Sequence, residues 1–204
     1  MPEVSLLLWD VGGVLLSNAW DHDARRAAVA RFDLDPVEFE RRHAEVDAAF
    51  ESGRLDEEGY LRATVFYEPR AFPPDAFRQF MRERSVAHPD AIATARAIRA
   101  RGRYTLAALN NESRELNEYR IRTFGLGDVF HVFFSSCYTG RRKPDPAAYR
   151  YALELAQRTP EETLFLDDRP ENVAAAARLG LRTIEVRDLD RLREELARAG
   201  VASG

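Results

Sequence analysis

Asp10 stands at the end of an apolar run over residues 5–9, with Gly12 and Gly13 close behind it to let the backbone turn tightly. A carboxylate at the carboxyl end of a buried parallel strand faces the crevice where such folds hold ligands. It can act there as a nucleophile or a metal ligand, although an aspartate that merely terminates a strand has the same local pattern. A second apolar run, over residues 163–166, leads directly into Asp167 and Asp168. Adjacent carboxylates repel each other unless a cation or several donors compensate. Magnesium, which takes a few carboxylates and keeps several waters, is the economical partner. The competing reading has Asp168 capping the helix that opens near Pro170.

Asn110 and Asn111 close a third run, and Lys143 stands just ahead of another helical pattern. Amide donors and an ammonium together make a receptor for phosphate, whereas singly an asparagine caps a turn and a lysine is solvated. Lys143 is also the only lysine among 30 basic residues, the rest being arginine. A retained lysine suits a position where a compact ammonium works and a planar guanidinium does not.

Elements that can bring these groups together follow from the hydrophobic pattern. Strands are predicted at 5–9, 105–109, 129–135, 163–166 and 183–186, and helices at 89–101, 113–124, 146–156, 170–179 and 189–199. This alternation predicts an α/β fold, a doubly wound, Rossmann-like parallel sheet. Residues 17–88 interrupt it with helical spacing and no strand pattern, so a small helical cap is expected after the first strand. The expected division is a core of 1–16 plus 89–204 and a cap of 17–88. Ala28, Phe32, Phe39, Val46 and Phe50 are expected in the cap's own core. Residues 201–204 are expected to fray.

The chain has 204 residues, a formal net charge of -4 and arginines scattered throughout, so no basic footprint for nucleic acid stands out. Cys137 is the single cysteine, which excludes an internal disulfide. No secretion signal is recognisable and the first apolar run is too short to cross a bilayer, so a cytoplasmic location without a membrane partner is expected.

In order and spacing, Asp10, Asn110, Lys143 and the Asp167–Asp168 pair resemble the four motifs of the haloacid dehalogenase-like superfamily. Residues 49–60 and 167–180, above all the run from Asp167 to Asn172, resemble the branch containing the N-terminal phosphatase-like domain of soluble epoxide hydrolases and bacterial sugar-phosphate phosphatases. The resemblance implies an Mg2+-dependent phosphatase in which Asp10 attacks a small phosphorylated metabolite and becomes an aspartyl phosphate. It assigns the metal to Asp10, the Gly12 carbonyl and Asp168, with Asp167 acting through water or by orienting Lys143. Asn110 and the Asn111 backbone would hold the phosphoryl oxygens, and Lys143 would neutralise both that group and the nucleophile.

Two positions depart from the family pattern. Gly12 stands where its phosphatases usually carry an aspartate that protonates the leaving group, a contribution of roughly a hundredfold to ten-thousandfold. Asn110 replaces the usual serine or threonine. A non-catalytic phosphometabolite-binding or partner-binding protein and a haloacid dehalogenase are therefore the rival readings. Substrate contacts are expected at Trp20, His22, Phe50, Arg54, Tyr60 and Tyr67.

Overall fold

Leu6–Trp9 forms β1, and all four of its side chains are buried because the strand lies in the middle of a sheet covered on both faces. The computed structural model describes residues 2–201. After β1 come four helices, α1 (His22–Phe32), α2 (Pro36–Glu51), α3 (Glu57–Thr64) and α4 (Pro74–Glu83). The chain then alternates: α5 (Pro89–Ala100), β2 (Thr105–Ala108), α6 (Arg114–Thr123), β3 (Val132–Phe133), α7 (Ser136–Thr139), α8 (Pro146–Ala156), β4 (Thr163–Asp167), α9 (Pro170–Arg178), β5 (Arg182–Glu185) and α10 (Leu192–Arg198).

The five strands are parallel in the order β3-β2-β1-β4-β5. The order reverses direction between β1 and β4, and a crevice opens at such a switch point beyond the carboxyl ends of the strands. Register places Trp9 beside Leu166 and Ala108. Asp10, Asp167 and the Asn110–Asn111 pair therefore emerge on the same edge.

Alternation along the strands divides the core into two layers. Leu7, Trp9, Leu106 and Leu166 pack with Ile92 and Ile98 of α5 and Leu196 of α10. Leu6, Leu8, Ala107 and Phe165 pack with Tyr149 of α8 and Ala175 and Ala176 of α9. A third apolar cluster joins α1 to α4 through Ala28, Phe39, Phe50, Tyr60, Phe77 and Met81, with Phe32 and Val46 packed against it. Proline opens α2, α4, α5, α8 and α9, where its missing N–H has no helical partner to lose.

Three expectations change in detail. The strand expected over 129–135 shrinks to Val132–Phe133, because Val129 and Phe130 complete a 3-10 turn over Leu126–Asp128 and are buried as loop residues. The helix expected over 189–199 divides into a 3-10 turn, Leu189–Arg191, held by the Asp188 carboxylate on the Asp190 N–H, followed by α10. Val201, expected to fray, is buried in the first layer and its N–H donates to the Leu196 carbonyl. Residues 202–204 lie outside the described residues. No helix among the described residues is long and apolar enough to cross a membrane.

Candidate active site

Asp10 follows the last residue of β1, and its N–H still donates to the Leu166 carbonyl of β4 at 2.8 Å. The strand pairing thereby fixes the carboxylate at the switch point. Asp10 Oδ1 accepts from the Val11 N–H at 2.7 Å, and Oδ2 lies 3.0 Å from Lys143 Nζ. The same ammonium is 2.6 Å from Asp167 Oδ2, so one cation bridges two buried carboxylates.

Asp167 is fully enclosed and saturated with donors, since the Arg169 N–H and the Asn172 amide bind it as well as Lys143. Asp168 differs. Its Oδ2 accepts from Asn18 Nδ2 at 2.9 Å, while its Oδ1 is buried with no hydrogen-bond partner. Ligand oxygens of Asp10, Asp167 and Asp168 lie within 4.8 Å of one another. A buried carboxylate oxygen left without a donor is costly, and three carboxylates against one ammonium leave a net negative charge. This donor set fits a hard divalent cation: two of the acids are committed to Lys143, and the third keeps an oxygen free.

The charge imbalance shows in the ionisation of the group. Burial pushes Asp10 up to about 7; Lys143 opposes the rise, while Asp167 and Asp168 add to it. For Lys143 burial favours the neutral amine, but Asp10 and Asp167 outweigh it and hold the ammonium above its ordinary value.

Gly13 makes room for this arrangement. Its φ is +71°, and a Cβ there would sit 2.1 Å from Asp168 Oδ2. Gly12 has no such backbone requirement, but a Cβ there would meet Asn18 Oδ1 at 2.6 Å. The space occupied by an acid in the usual family pattern is taken by Asn18, an amide.

A cavity of about 240 Å³ opens over these groups, with Asp10, Gly12, Asn111 and Lys143 in its wall. Asn111 holds the backbone on either side of Lys143 Cα, its amide donating to the Lys143 carbonyl and its Oδ1 accepting the Lys143 N–H. Asn110 does not line the cavity. It is buried, its amide donates to Asn117 Oδ1 and its Oδ1 accepts from Ser135 Oγ, so the side chain ties β2 to α6 and α7.

Helix α2 contributes Asp47, Phe50 and Glu51 to the cavity, and the segment just before α1 contributes Trp20. Of the side chains expected to meet substrate, Trp20 and Phe50 are there. Tyr60 is one layer behind, stacked on Phe50 at 4.1 Å and hydrogen-bonded to Trp20 Nε1 and His43 Nδ1. His22 and Arg54 are exposed and Tyr67 lies under the Arg42 guanidinium, none of them lining the cavity. Sequence reasoning passed over Asn18, Arg142, Asp47 and Glu51. Arg142 was readable as the neighbour of Lys143, but nothing local marked the other three.

A buried carboxylate–ammonium–carboxylate cluster at the switch point of a doubly wound sheet, beneath a helical insertion, marks the ligand site of a Rossmann-like α/β protein. The chain belongs to the haloacid dehalogenase-like hydrolase family, whose model matches residues 4–180. It is 27% identical over 203 residues to Flavin mononucleotide hydrolase 1 of Arabidopsis thaliana, covering 98% of this chain and 79% of that one. It is 32% identical over 117 residues to Bifunctional epoxide hydrolase 2 of Rattus norvegicus, covering 56% of this chain and only 21% of the relative. A HAD family enzyme of Bacteroides thetaiotaomicron, crystallised with magnesium and inorganic phosphate, shares the fold. Its TM-score is 0.72 at 20% identity, over 89% of this chain and 93% of that one.

Proposed function

We propose that the protein is a magnesium-dependent phosphatase of small phosphorylated metabolites, that Asp10 is its nucleophile, and that residues 17–88 form the cap that selects the substrate. The observation that carries this reading is the Asp10–Lys143–Asp167 cluster beside the partnerless Asp168 Oδ1. A haloalkane needs no second pair of acids, whereas a phosphoryl group with a divalent cation uses all of them. The names of two similar proteins, a flavin mononucleotide hydrolase and an enzyme bound to magnesium and phosphate, support the same substrate class.

Asp10, the Gly12 carbonyl and Asp168 would hold magnesium, which supplies charge neutralisation for the nucleophile and the phosphoryl oxygens when bound. Asp10 attacks phosphorus in line with the leaving oxygen, and a P–O bond to the carboxylate replaces the ester bond. Lys143, oriented by Asp167, favours the ionised form of Asp10 against its burial and offers its remaining proton to a phosphoryl oxygen. Asn111 lines the cavity, and its backbone N–H would be a further donor to that group. Water then hydrolyses the aspartyl phosphate and restores Asp10.

Release of inorganic phosphate from a panel of phosphate esters, with and without magnesium, tests the reading, with halide release from 2-haloacids as a control. Magnesium-dependent phosphate release supports it. Halide release that persists in chelator would establish the dehalogenase instead, and binding without turnover a sensor.

A further inference from the structure

In-line attack by Asp10 puts the leaving oxygen on the far side of phosphorus from the nucleophile, and α2 contributes Asp47, Phe50 and Glu51 to the wall of the same cavity. Position 12 offers no acid, and Asn18 fills the space beside it. The proton for the leaving group therefore has to come from elsewhere in the cavity. Most other acids in the wall are committed: Asp21 caps α1 through the Ala24 N–H, Asp47 accepts from Arg142 Nη2 at 2.9 Å, and Glu112 is paired with Arg120 at 2.8 Å. Glu171 is exposed on the first turn of α9.

Glu51, the last residue of α2, is different. Arg142 Nε approaches its Oε2 to 2.8 Å, but off the hydrogen-bonding direction, so neither atom gains a bond. Asp47 and Glu51, one helical turn apart, thus share a single guanidinium that is aligned on Asp47. The backbone holds Glu51 in place: Ser136 Oγ donates to its carbonyl, and Gly53, at φ +70°, packs against the Cys137 carbonyl where a Cβ would stand only 2.2 Å away.

We propose that the Glu51 carboxyl donates the proton to the leaving oxygen, in place of the acid missing at position 12. The assignment rests on the phosphatase reading above. As the P–O ester bond breaks and the Asp10–phosphorus bond forms, the Glu51 proton passes to the departing alkoxide, giving the alcohol and a Glu51 carboxylate. That carboxylate takes a proton from the water that attacks the aspartyl phosphate, and both groups return to their starting state. The surroundings suit the role. Burial above all, helped by Asp47 on its own helix and Glu112 after β2 and opposed by Arg142 before Lys143 and Arg169 after β4, pushes Glu51 up to about 7.

The test is a series of alkyl and aryl phosphates of graded leaving-group pKa, assayed with magnesium across pH in wild type and Glu51→Gln. The variant is expected to lose about a hundredfold to ten-thousandfold in kcat/KM on alkyl phosphates, little on activated aryl phosphates, and the alkaline limb of the pH profile. An unchanged leaving-group slope, or an equal loss on every ester, overturns the assignment while leaving the phosphatase reading intact. A wild type inactive on all esters overturns both. If melting shows that Glu51→Gln is unfolded, Asp47→Asn replaces it as the test: freeing Arg142 to bond Glu51 should keep the carboxyl ionised and move the alkaline limb to lower pH. An unmoved limb in that variant also overturns the assignment.

Discussion

Lys143 Nζ stands 3.0 Å from Asp10 Oδ2 with almost no solvent reaching either side chain, so the ammonium works at close quarters in a medium that screens little. Its second carboxylate, Asp167, lies 2.6 Å away, which leaves room for a point charge but not for a planar fork. Lys143→Arg keeps the charge, yet its guanidinium has to displace one of the two acids. The expected loss in kcat is about a hundredfold or more, the usual cost of removing a donor aimed at developing charge. Wild-type steady-state kinetics in this variant would reduce Lys143 to a structural ion-pair partner.

Asp10→Asn should abolish turnover and leave the fold intact. The replacement is isosteric, and it removes charge from a cluster where burial already disfavours the ionised form. Metal-free protein is therefore expected to melt no lower than wild type. Retention of as much as a tenth of the wild-type rate rules out covalent attack by this residue.

Magnesium should stabilise the protein through Asp168 more than through Asp167. At a concentration about 100 times Kd, binding contributes about 2.7 kcal/mol, which for a chain of this length raises Tm by roughly 5–10 °C. Asp168→Ala removes the carboxylate whose oxygen lacks a partner and should nearly eliminate that shift. Asp167→Asn should retain most of it while lowering kcat, because Asp167 is saturated by Lys143, Arg169 and Asn172. Equal shifts in wild type and Asp168→Ala, measured by thermal melting against magnesium, would remove Asp168 from the metal site.

The parts of this site that could be read from the sequence are those in which chemistry and local pattern coincide. Asp10, Asp167 and Asp168 each follow an apolar strand, and Lys143 stood out against a background of arginine. The strands were legible because four residues buried on both faces leave a continuous apolar run, as in β1. Glu51, Asp47 and Asn18 were not legible, since their roles arise only where distant segments meet. Arg142 reaches Asp47 across 95 residues, and Asn18 reaches Asp168 across 150. What Asn110 bonds to was hidden for a related reason: it stands at a strand end, but its side chain is engaged by Ser135 and Asn117 from later segments.

Gly13→Ala should damage both stability and metal binding. At φ +71° an alanine is strained by about 1–3 kcal/mol, and its Cβ would overlap Asp168 Oδ2 and come within 2.9 Å of Asp168 Cβ. Urea denaturation should show the loss of stability, and magnesium titration a weaker affinity. Unchanged values for both would mean that the turn after β1 relaxes without moving Asp168.

Gly12→Asp tests what occupies the family's usual acid position. Backbone strain is no obstacle, since Gly12 is not in the left-handed region; the obstacle is Asn18 Oδ1, 2.6 Å from the new Cβ. Asn18 does not move freely, because its amide is bound to Asp168 Oδ2. The single substitution should therefore push Asn18 off Asp168 and weaken magnesium binding before any new acid can help. Gly12→Asp combined with Asn18→Ala removes the clash and places a carboxyl beside the leaving group. In a Glu51→Gln background, where no acid serves the leaving group, this double variant should turn over alkyl phosphates faster than Asn18→Ala, by up to the roughly hundredfold to ten-thousandfold that a positioned acid supplies. Its rates there should also depend less steeply on leaving-group pKa than those of Asn18→Ala in the same background. Parallel slopes for the two variants, measured at saturating magnesium, would show that an acid at position 12 cannot reach the leaving oxygen in this cavity.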